Sequence, residues 1–336
     1  MNHPARYYEE IFRYQLRCHL CPHHCTIGDG KTGICRVRKN VQGELFLQTY
    51  GEVSSMGFDP IEKKPLYHFY PGSIIFSVGN YGCNLRCKFC QNSEISQDVP
   101  RQFTPGRQYP PEEIVALAGE KKSNVGIAFT YNEPTVWFEY MMDIANLSRK
   151  EKMKNVVITN GFISPEPLAE LIEVTDAFNV DLKAFTEDFY LTQTMSKLEP
   201  VKETLIQIKR SGRHLEITNL VIPSRNDDKT TFEEMILWIR ENLGSDTVLH
   251  LSRYFPTYKM SEPPTPIETL QELHALASAH LEYVYVGNAS AGDSANTYCP
   301  KCHQKVIDRS RYDAWFTGLS KTGQCNHCGH QIMTHI

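Results

Sequence analysis

From residue 73 to residue 287, short runs of β-branched and other apolar residues alternate with longer stretches in which apolar positions recur every three or four residues. That alternation predicts βα units wound around a parallel sheet. SIIFSVGNYG from Ser73, NVGIAFTY from Asn124, NVVITN from Asn155, AFNVDLK from Ala177, HLEITNLVI from His214 and TVLHLSR from Thr247 read as successive strands, with EYVYVG from Glu282 as a late addition. Helices fill the gaps. PPEEIVALAGEKK from Pro110 opens on prolines and acids, as a helix N-terminus does, and PTVWFEYMMDIANLSRKEK from Pro134 closes on bases suited to a C-terminus. Six such repeats predict an α/β fold, a partial (β/α)6 TIM-like barrel over residues 73–290. A Cys-rich, β-rich segment over 1–72 precedes it, and a small Cys-containing module over 291–336 follows.

A barrel of this kind carries its chemistry where strands end and the following loops begin. The polar residues obey that rule. A cysteine triplet follows the first strand, Asn132 and Glu133 the second, and Thr159 and Asn160 the third; Asp181 and Lys183 end the fourth. The fifth runs into IPSRND around Ser224, and the sixth carries His250, Ser252 and Arg253. Six coincidences in register argue for a single catalytic mouth.

The chain of 336 residues is 41% hydrophobic and 22% charged, a composition that suits a globular protein and argues against disorder. Its formal charge of -4 supplies no basic field for nucleic acid, although a local basic patch is compatible with it. MNHPARYYEEIF has no apolar leader pattern, and the longest apolar run, near Ser73–Gly79, is far short of the ~20 residues of a membrane span. A cytoplasmic protein without a membrane partner is the expectation. The eleven cysteines then change the picture, because they divide into four, three and four, and C-x2-C pairs near histidines in such a chain read as metal sites rather than disulfides.

The central three, Cys83, Cys87 and Cys90 in CNLRCKFC, put soft thiolates on one tight loop, a set suited to a [4Fe-4S] cluster with one iron left open. An open iron can chelate the amino and carboxylate groups of S-adenosylmethionine; an electron passed to the sulfonium then yields a 5′-deoxyadenosyl radical that abstracts a substrate hydrogen. A zinc knuckle borrowing a fourth ligand is the bland alternative, disfavoured because no cysteine or histidine follows soon after Cys90. Phe89 either covers an adenine ring or packs the loop.

At the C-terminus, Cys299, Cys302, Cys325 and Cys328 form two C-x2-C pairs separated by 22 residues, with Gly329 after the second. This reads as a structural zinc ribbon, with a rubredoxin-like iron site as its rival. The N-terminal Cys18, Cys21, Cys25 and Cys35 are less regular, and His19, His23 and His24 compete as ligands. Zinc is favoured there over an auxiliary iron-sulfur cluster.

CHLCPHHCTIGDGKTGICRVR, DPIEKKPLYHFYPGS, GCNLRCKFCQNSEISQ, TYNEPT, VITNGFIS, NVDLKAF, LVIPSRND, SRYFPTYKM, YVYVGN and the paired CPKC and CNHC run through nearly the whole chain. In this order they resemble a radical SAM enzyme of the AmmeMemoRadiSam-system family, related to the pyruvate formate-lyase activating enzymes. The resemblance implies that TYNEPT stands where those enzymes carry a glycine-rich GGE motif, so that Asn132 and Glu133 meet the amino group of the cofactor's methionine. It likewise implies that Thr159, Asn160, Asp181 and Lys183 face its ribose and carboxylate, and it assigns His250 and Arg253 to cofactor or substrate. Structural roles compete at each place: a helix cap for Asn132 and Glu133, a barrel-mouth ion pair for Asp181 and Lys183, a satisfied interior histidine for His250.

The leading expectation is therefore an enzyme using a [4Fe-4S] cluster, S-adenosylmethionine and a donor such as flavodoxin or ferredoxin, with Zn2+ as a structural ion. Its target is a glycine of a glycyl-radical enzyme, or a substrate handled with Memo-like and AMMECR-like proteins, or a small molecule or RNA. A zinc-ribbon binding module that contacts RNA or protein, with the barrel as scaffold, is the competing class.

Overall fold

The computed structural model describes residues 3–99, 106–289 and 292–336. Its centre is an eight-stranded sheet. Strand β1 (Ser55–Pro60) runs antiparallel to β2 (Ile74–Gly79), and from β2 the sheet continues in parallel through β3 (Asn124–Phe129), β4 (Lys154–Thr159) and β5 (Ala177–Asp181). It ends with β6 (His214–Val221), β7 (Val248–Arg253) and β8 (Val284–Gly287). Because β1 and β8 stand at opposite edges, the sheet of the described residues is not closed. The α/β architecture expected from the pattern is present, including the late strand near Glu282. The expected junction at residues 290 and 291 lies outside the described residues.

The strands follow from their two-residue period. Ile127, Phe129, Val157, Phe178 and Val180 pack into one large core with helical Ile144, Leu168 and Leu205, while the alternate Ala128, Val156 and Ala177 face the other way, against Ile61, Leu66 and Phe69. Gly126 on β3 is required by close approach: an added Cβ would lie 1.9 Å from the Lys154 carbonyl oxygen on β4.

Among the described residues, six helices of nine residues or more accompany the sheet: α1 (Pro111–Gly119), α2 (Phe138–Lys150), α3 (Pro165–Val174), α4 (Glu199–Arg210), α5 (Lys229–Leu243) and α6 (Ile267–Ser278). The stretch from Pro134 predicted as one helix is two pieces. Pro134–Trp137 forms a 3-10 turn whose first residues are held by the Glu133 carboxylate accepting from Thr135 N at 3.0 Å, and α2 starts only at Phe138.

Two small antiparallel sheets precede the barrel, one of His3–Pro4, Arg38–Val41 and Glu44–Leu47, the other of Tyr8–Phe12, Gln15–Cys18 and Thr26–Ile27. A third, of Thr297–Tyr298, Lys305–Ser310 and Asp313–Phe316, follows it. The last module packs beneath the sheet, where strands begin: His335 lies against Phe69 and against His214 at the start of β6, and Arg309 donates to the Tyr67 carbonyl at 2.8 Å. No helix of the described residues is long and apolar enough to cross a membrane.

Candidate metal centre and active site

The loop carrying Cys83, Cys87 and Cys90 leaves the C-terminal end of β2, and its backbone is pinned by three hydrogen bonds to two neighbouring segments. Gly82 N donates to the Ile95 carbonyl at 2.9 Å, Arg86 N to Thr194 at 2.8 Å and Lys88 N to Gln193 at 3.0 Å. A loop tied by its own amides holds its side chains in a fixed constellation. Sequence reasoning had not linked Gln193 and Thr194 to the triplet, because backbone hydrogen bonds leave no residue-type signal.

The ends of β3 and β4 are wired into this loop. Asn132 accepts from Asn80 N at 3.0 Å and from Trp137 Nε1 at 3.2 Å, and donates to the Gly82 carbonyl at 2.9 Å. Glu133 accepts from Thr159 Oγ1 at 2.7 Å and from Asn160 N at 2.9 Å as well as from Thr135. Asn160 Nδ2 in turn lies 3.7 Å from Cys83 Sγ and donates to Asn84 Oδ1 at 2.9 Å. Asn132, Glu133, Thr159 and Asn160 are thus one connected, buried set against Cys83, and the capping role open to Glu133 is realised.

On the other side of the loop, Lys183 Nζ donates to Asp181 at 2.9 Å, and its Nζ lies 5.8 Å from the centre of the Phe89 ring. Phe89 is buried, with Phe189 at 5.9 Å between ring centres. The Asp181–Lys183 ion pair exists, and it faces two of the three thiols.

Electrostatics divide the loop. Burial pushes the Cys83 thiol well above its ordinary value and the nearby Glu133 charge adds to that, whereas Cys87, raised by burial to about 12, is partly relieved by Lys183. Cys90 is raised by burial too. Burial also raises Glu133 against the pull of its hydrogen bonds, and it opposes the Lys183 charge, yet Asp181 and Cys87 prevail and Lys183 stands above its usual value. Without metal the thiols keep their protons at neutral pH, so metal loading must release them.

Three thiols on one loop are a donor set that an iron-sulfur cluster would accept. Among the described residues, Cys299, Cys302, Cys325 and Cys328 are the one group of three or more potential ligands whose donor atoms all lie within 4.8 Å of one another. Their sulfurs approach to 3.5 Å (Cys299–Cys328) and 3.6 Å (Cys302–Cys325), near the ~3.8 Å edge of a tetrahedron of thiolates around one ion at ~2.3 Å. The sulfurs of Cys83, Cys87 and Cys90 do not all lie within that 4.8 Å spacing. Cys18, Cys21, Cys25 and Cys35 line one cavity beside the Thr135–Val136 turn.

His250 is not brought to the triplet. Its Nε2 bonds Glu216 at 2.6 Å inside the sheet, and Glu216 also accepts from His214 Nε2, Tyr67 N and His68 N at 2.8, 2.9 and 2.8 Å. Burial raises Glu216, but these histidines outweigh it and hold the carboxyl well below the usual range. Arg253 donates from Nε to the Thr265 carbonyl at 2.8 Å and lies over Phe255. The signal for this network was an acid inside the apolar run HLEITN. Asn84, Arg86 and Gln97 are further polar residues of the loop that sequence reasoning passed over; Arg86 Nη1 donates to Gln97 Oε1 at 3.0 Å.

The chain is 44% identical over 331 residues to an uncharacterized protein of Methanocaldococcus jannaschii, covering 98% of each. A pyruvate formate-lyase-activating enzyme of Clostridium pasteurianum is 22% identical over 159 residues, 46% of this chain and 64% of that one. The fold is shared with a radical SAM methyltransferase from Sphaerobacter thermophilus, at a TM-score of 0.50 and 17% identity over 70% of this chain and 71% of that one. The model of the radical SAM superfamily matches residues 78–239, from the end of β2 through the cysteine loop into α5. That match takes in the cysteine loop at the mouth of the sheet, and over these residues the chain belongs to the radical SAM superfamily.

Proposed function

We propose that Cys83, Cys87 and Cys90 hold a [4Fe-4S] cluster beside which S-adenosylmethionine binds, and that the enzyme abstracts a hydrogen atom from a glycine of a partner protein. The observation that carries this reading is the three-thiol loop bracketed by Glu133 on the Cys83 side and Lys183 on the Cys87 side. When bound, the cluster supplies the electron that cleaves the sulfonium to a 5′-deoxyadenosyl radical. The residues do the rest. Glu133, with Asn132 behind it, offers an acceptor for the ammonium of the methionine moiety; Lys183 offers a cation for its carboxylate; Thr159, Asn160 and Asp181 supply polar atoms for the ribose, and Phe89 an apolar face for the adenine.

The protein target is supported by the relatives named pyruvate formate-lyase-activating enzymes. Memo-like and AMMECR-like proteins are the partners that the sequence resemblance adds. A flavodoxin or ferredoxin serves as electron donor, and the C-terminal tetrathiolate holds zinc. Anaerobically reconstituted enzyme should form 5′-deoxyadenosine from S-adenosylmethionine, and a partner labelled with α-deuterated glycine should pass deuterium into that product. No 5′-deoxyadenosine sinks the whole reading. Product without deuterium from glycyl-radical partners sinks the target alone.

A further inference from the structure

Five cations gather on the exposed side of the Cys83 loop, and none has a role in the function proposed above. Lys88, between Cys87 and Cys90, is exposed, while its neighbour Phe89 is buried. Its backbone ties two further segments to the loop: Lys88 N donates to the Gln193 carbonyl at 3.0 Å, and the Lys88 carbonyl accepts from Lys259 N at 2.9 Å. Exposed Lys197 follows Gln193 on the first of these segments. Arg36 and Arg86 meet on Gln97, Arg86 Nη1 donating to its side-chain oxygen at 3.0 Å and Arg36 Nη1 to its backbone carbonyl. Lys197 reaches the same corner: burial lowers His23, the Arg86 and Lys197 charges lower it further, and His23 Nε2 lies 2.8 Å from the Asn84 carbonyl oxygen.

Among the described residues, none of these five cations forms an ion pair with a carboxylate. Acids on the neighbouring segments are engaged elsewhere. Glu187 accepts from Leu198 N and Glu199 N at 3.2 Å each, Glu199 pairs with Lys202 at 2.9 Å, and Glu262 pairs with Arg225. The chain as a whole has a formal charge of -4, so this surface runs against the average. Like charges held together repel, and an anionic surface laid over them relieves the repulsion.

The middle of this surface is apolar. Leu191 and Met195, 67% and 55% exposed, flank the Gln193 and Thr194 carbonyls that hold the loop, and exposed Tyr258 adjoins Lys259, whose Nζ lies 5.0 Å from the centre of its ring. Apolar side chains inside a charged rim are how a protein interface is built. Single-stranded nucleic acid is held instead by stacking platforms along a basic groove, and Leu191 and Met195 give a base nothing to stack on. Position then selects the kind of protein. Lys88 is the next residue after Cys87 and two before Cys90, so a partner seated here is as near to the thiols as the exposed surface allows.

We propose that the surface around Leu191 and Met195, rimmed by these five cations, docks a small acidic protein that carries single electrons. The use of that electron at the Cys83 loop rests on the function proposed above; the docking does not. The carrier gives up one electron and is oxidised by one, the cluster held by the loop is reduced by one, and no bond forms or breaks. Charge complementarity speeds the encounter and the small apolar centre keeps it transient, as a carrier that must leave again requires.

Oxidised flavodoxin, an acidic flavin protein, serves as the probe, its binding to the full, anaerobically reconstituted chain followed by flavin fluorescence without S-adenosylmethionine. Binding should weaken steeply with added salt, and Lys197→Glu/Lys259→Glu should weaken it at least about tenfold. In turnover the same variant should lose about tenfold in 5′-deoxyadenosine formation driven by reduced flavodoxin and nothing in formation driven by dithionite, a small reductant that needs no docking surface. Equal flavodoxin binding by wild type and variant overturns the proposal. So does an oligouridylate of about 20 nucleotides that binds the wild type and not the variant while flavodoxin binding is unchanged, since the surface would then be one for RNA. Should the double reversal fail to fold, Leu191→Asp places a charge at the apolar centre and should weaken flavodoxin binding to the same degree. If wild-type enzyme forms no 5′-deoxyadenosine with either reductant, the radical SAM reading fails, and the binding measurement still decides the docking.

Discussion

The Cys83 loop and the C-terminal cysteine set use the same thiol at opposite ends of one sheet. At the strand C-termini, three thiols share a loop pinned by its amides and flanked by an acid and a base. At the strand N-termini, four sulfurs converge within 4.8 Å in a module that packs on Tyr67, Phe69 and His214. Ligand number and surroundings make the difference: four convergent thiolates saturate an ion, and three would leave a coordination position for chemistry. On the function proposed above, the sheet turns one end toward reaction, while packing covers the other.

The sharpest break of this comparison removes the triplet. Cys83→Ala/Cys87→Ala/Cys90→Ala should abolish 5′-deoxyadenosine formation while the thermal midpoint stays within a few degrees; retained product would end the contrast. The complementary change, Cys302→Ser, should cost several kcal/mol of stability and lower the midpoint by about 10 °C, with the iron of the Cys83 loop retained after refolding. If it instead removed activity without lowering the midpoint, the C-terminal set would not be structural.

Glu133→Gln tests the acidic side of the triplet. The amide presents a donor to Thr159 or Asn160 where the carboxylate accepts, which should cost about 1–3 kcal/mol and raise the S-adenosylmethionine concentration for half-maximal turnover about tenfold. A loss of stability with unchanged cofactor dependence would leave Glu133 as a cap only.

The smallest effect concerns the sealed end. Burial lowers His68 to about 3 and His335 to about 4, so unfolded chains take up these protons near pH 6.5 and the fold does not. Their stabilisation is full above pH 6.5 and is lost as pH falls toward 4. Glu62, raised by burial to about 7, works the other way, since the fold takes up its proton first, and leaves a net loss on the order of 2 kcal/mol. Denaturant midpoints between pH 7 and pH 4 measure it, and His68→Gln should flatten the slope.

The barrel was legible in the sequence because buried parallel strands are written as compact apolar runs, and β2 to β8 fall on the runs from Ser73 to Glu282. The triplet was legible because its spacing lies within eight residues. Less could be read where partners are distant in sequence. His250 ends a strand beside polar neighbours and reads as a mouth residue, yet Glu216, 34 positions earlier, draws it into a network with Tyr67 and His68. The break before Phe138 and the Gln193 and Thr194 anchors likewise depend on contacts that composition does not encode.

The sequence by itself determined the inventory: eleven thiols in sets of four, three and four, and the order of strands that carries the middle set to the barrel mouth. Tertiary structure alone decided which sulfurs converge and which stay apart, and which charges they feel. Glu133 lies 50 residues from Cys83 and Lys183 nearly a hundred from Cys87, and their influence is set by distance and burial in the fold, since Coulomb interactions weaken with separation and with solvent between the groups.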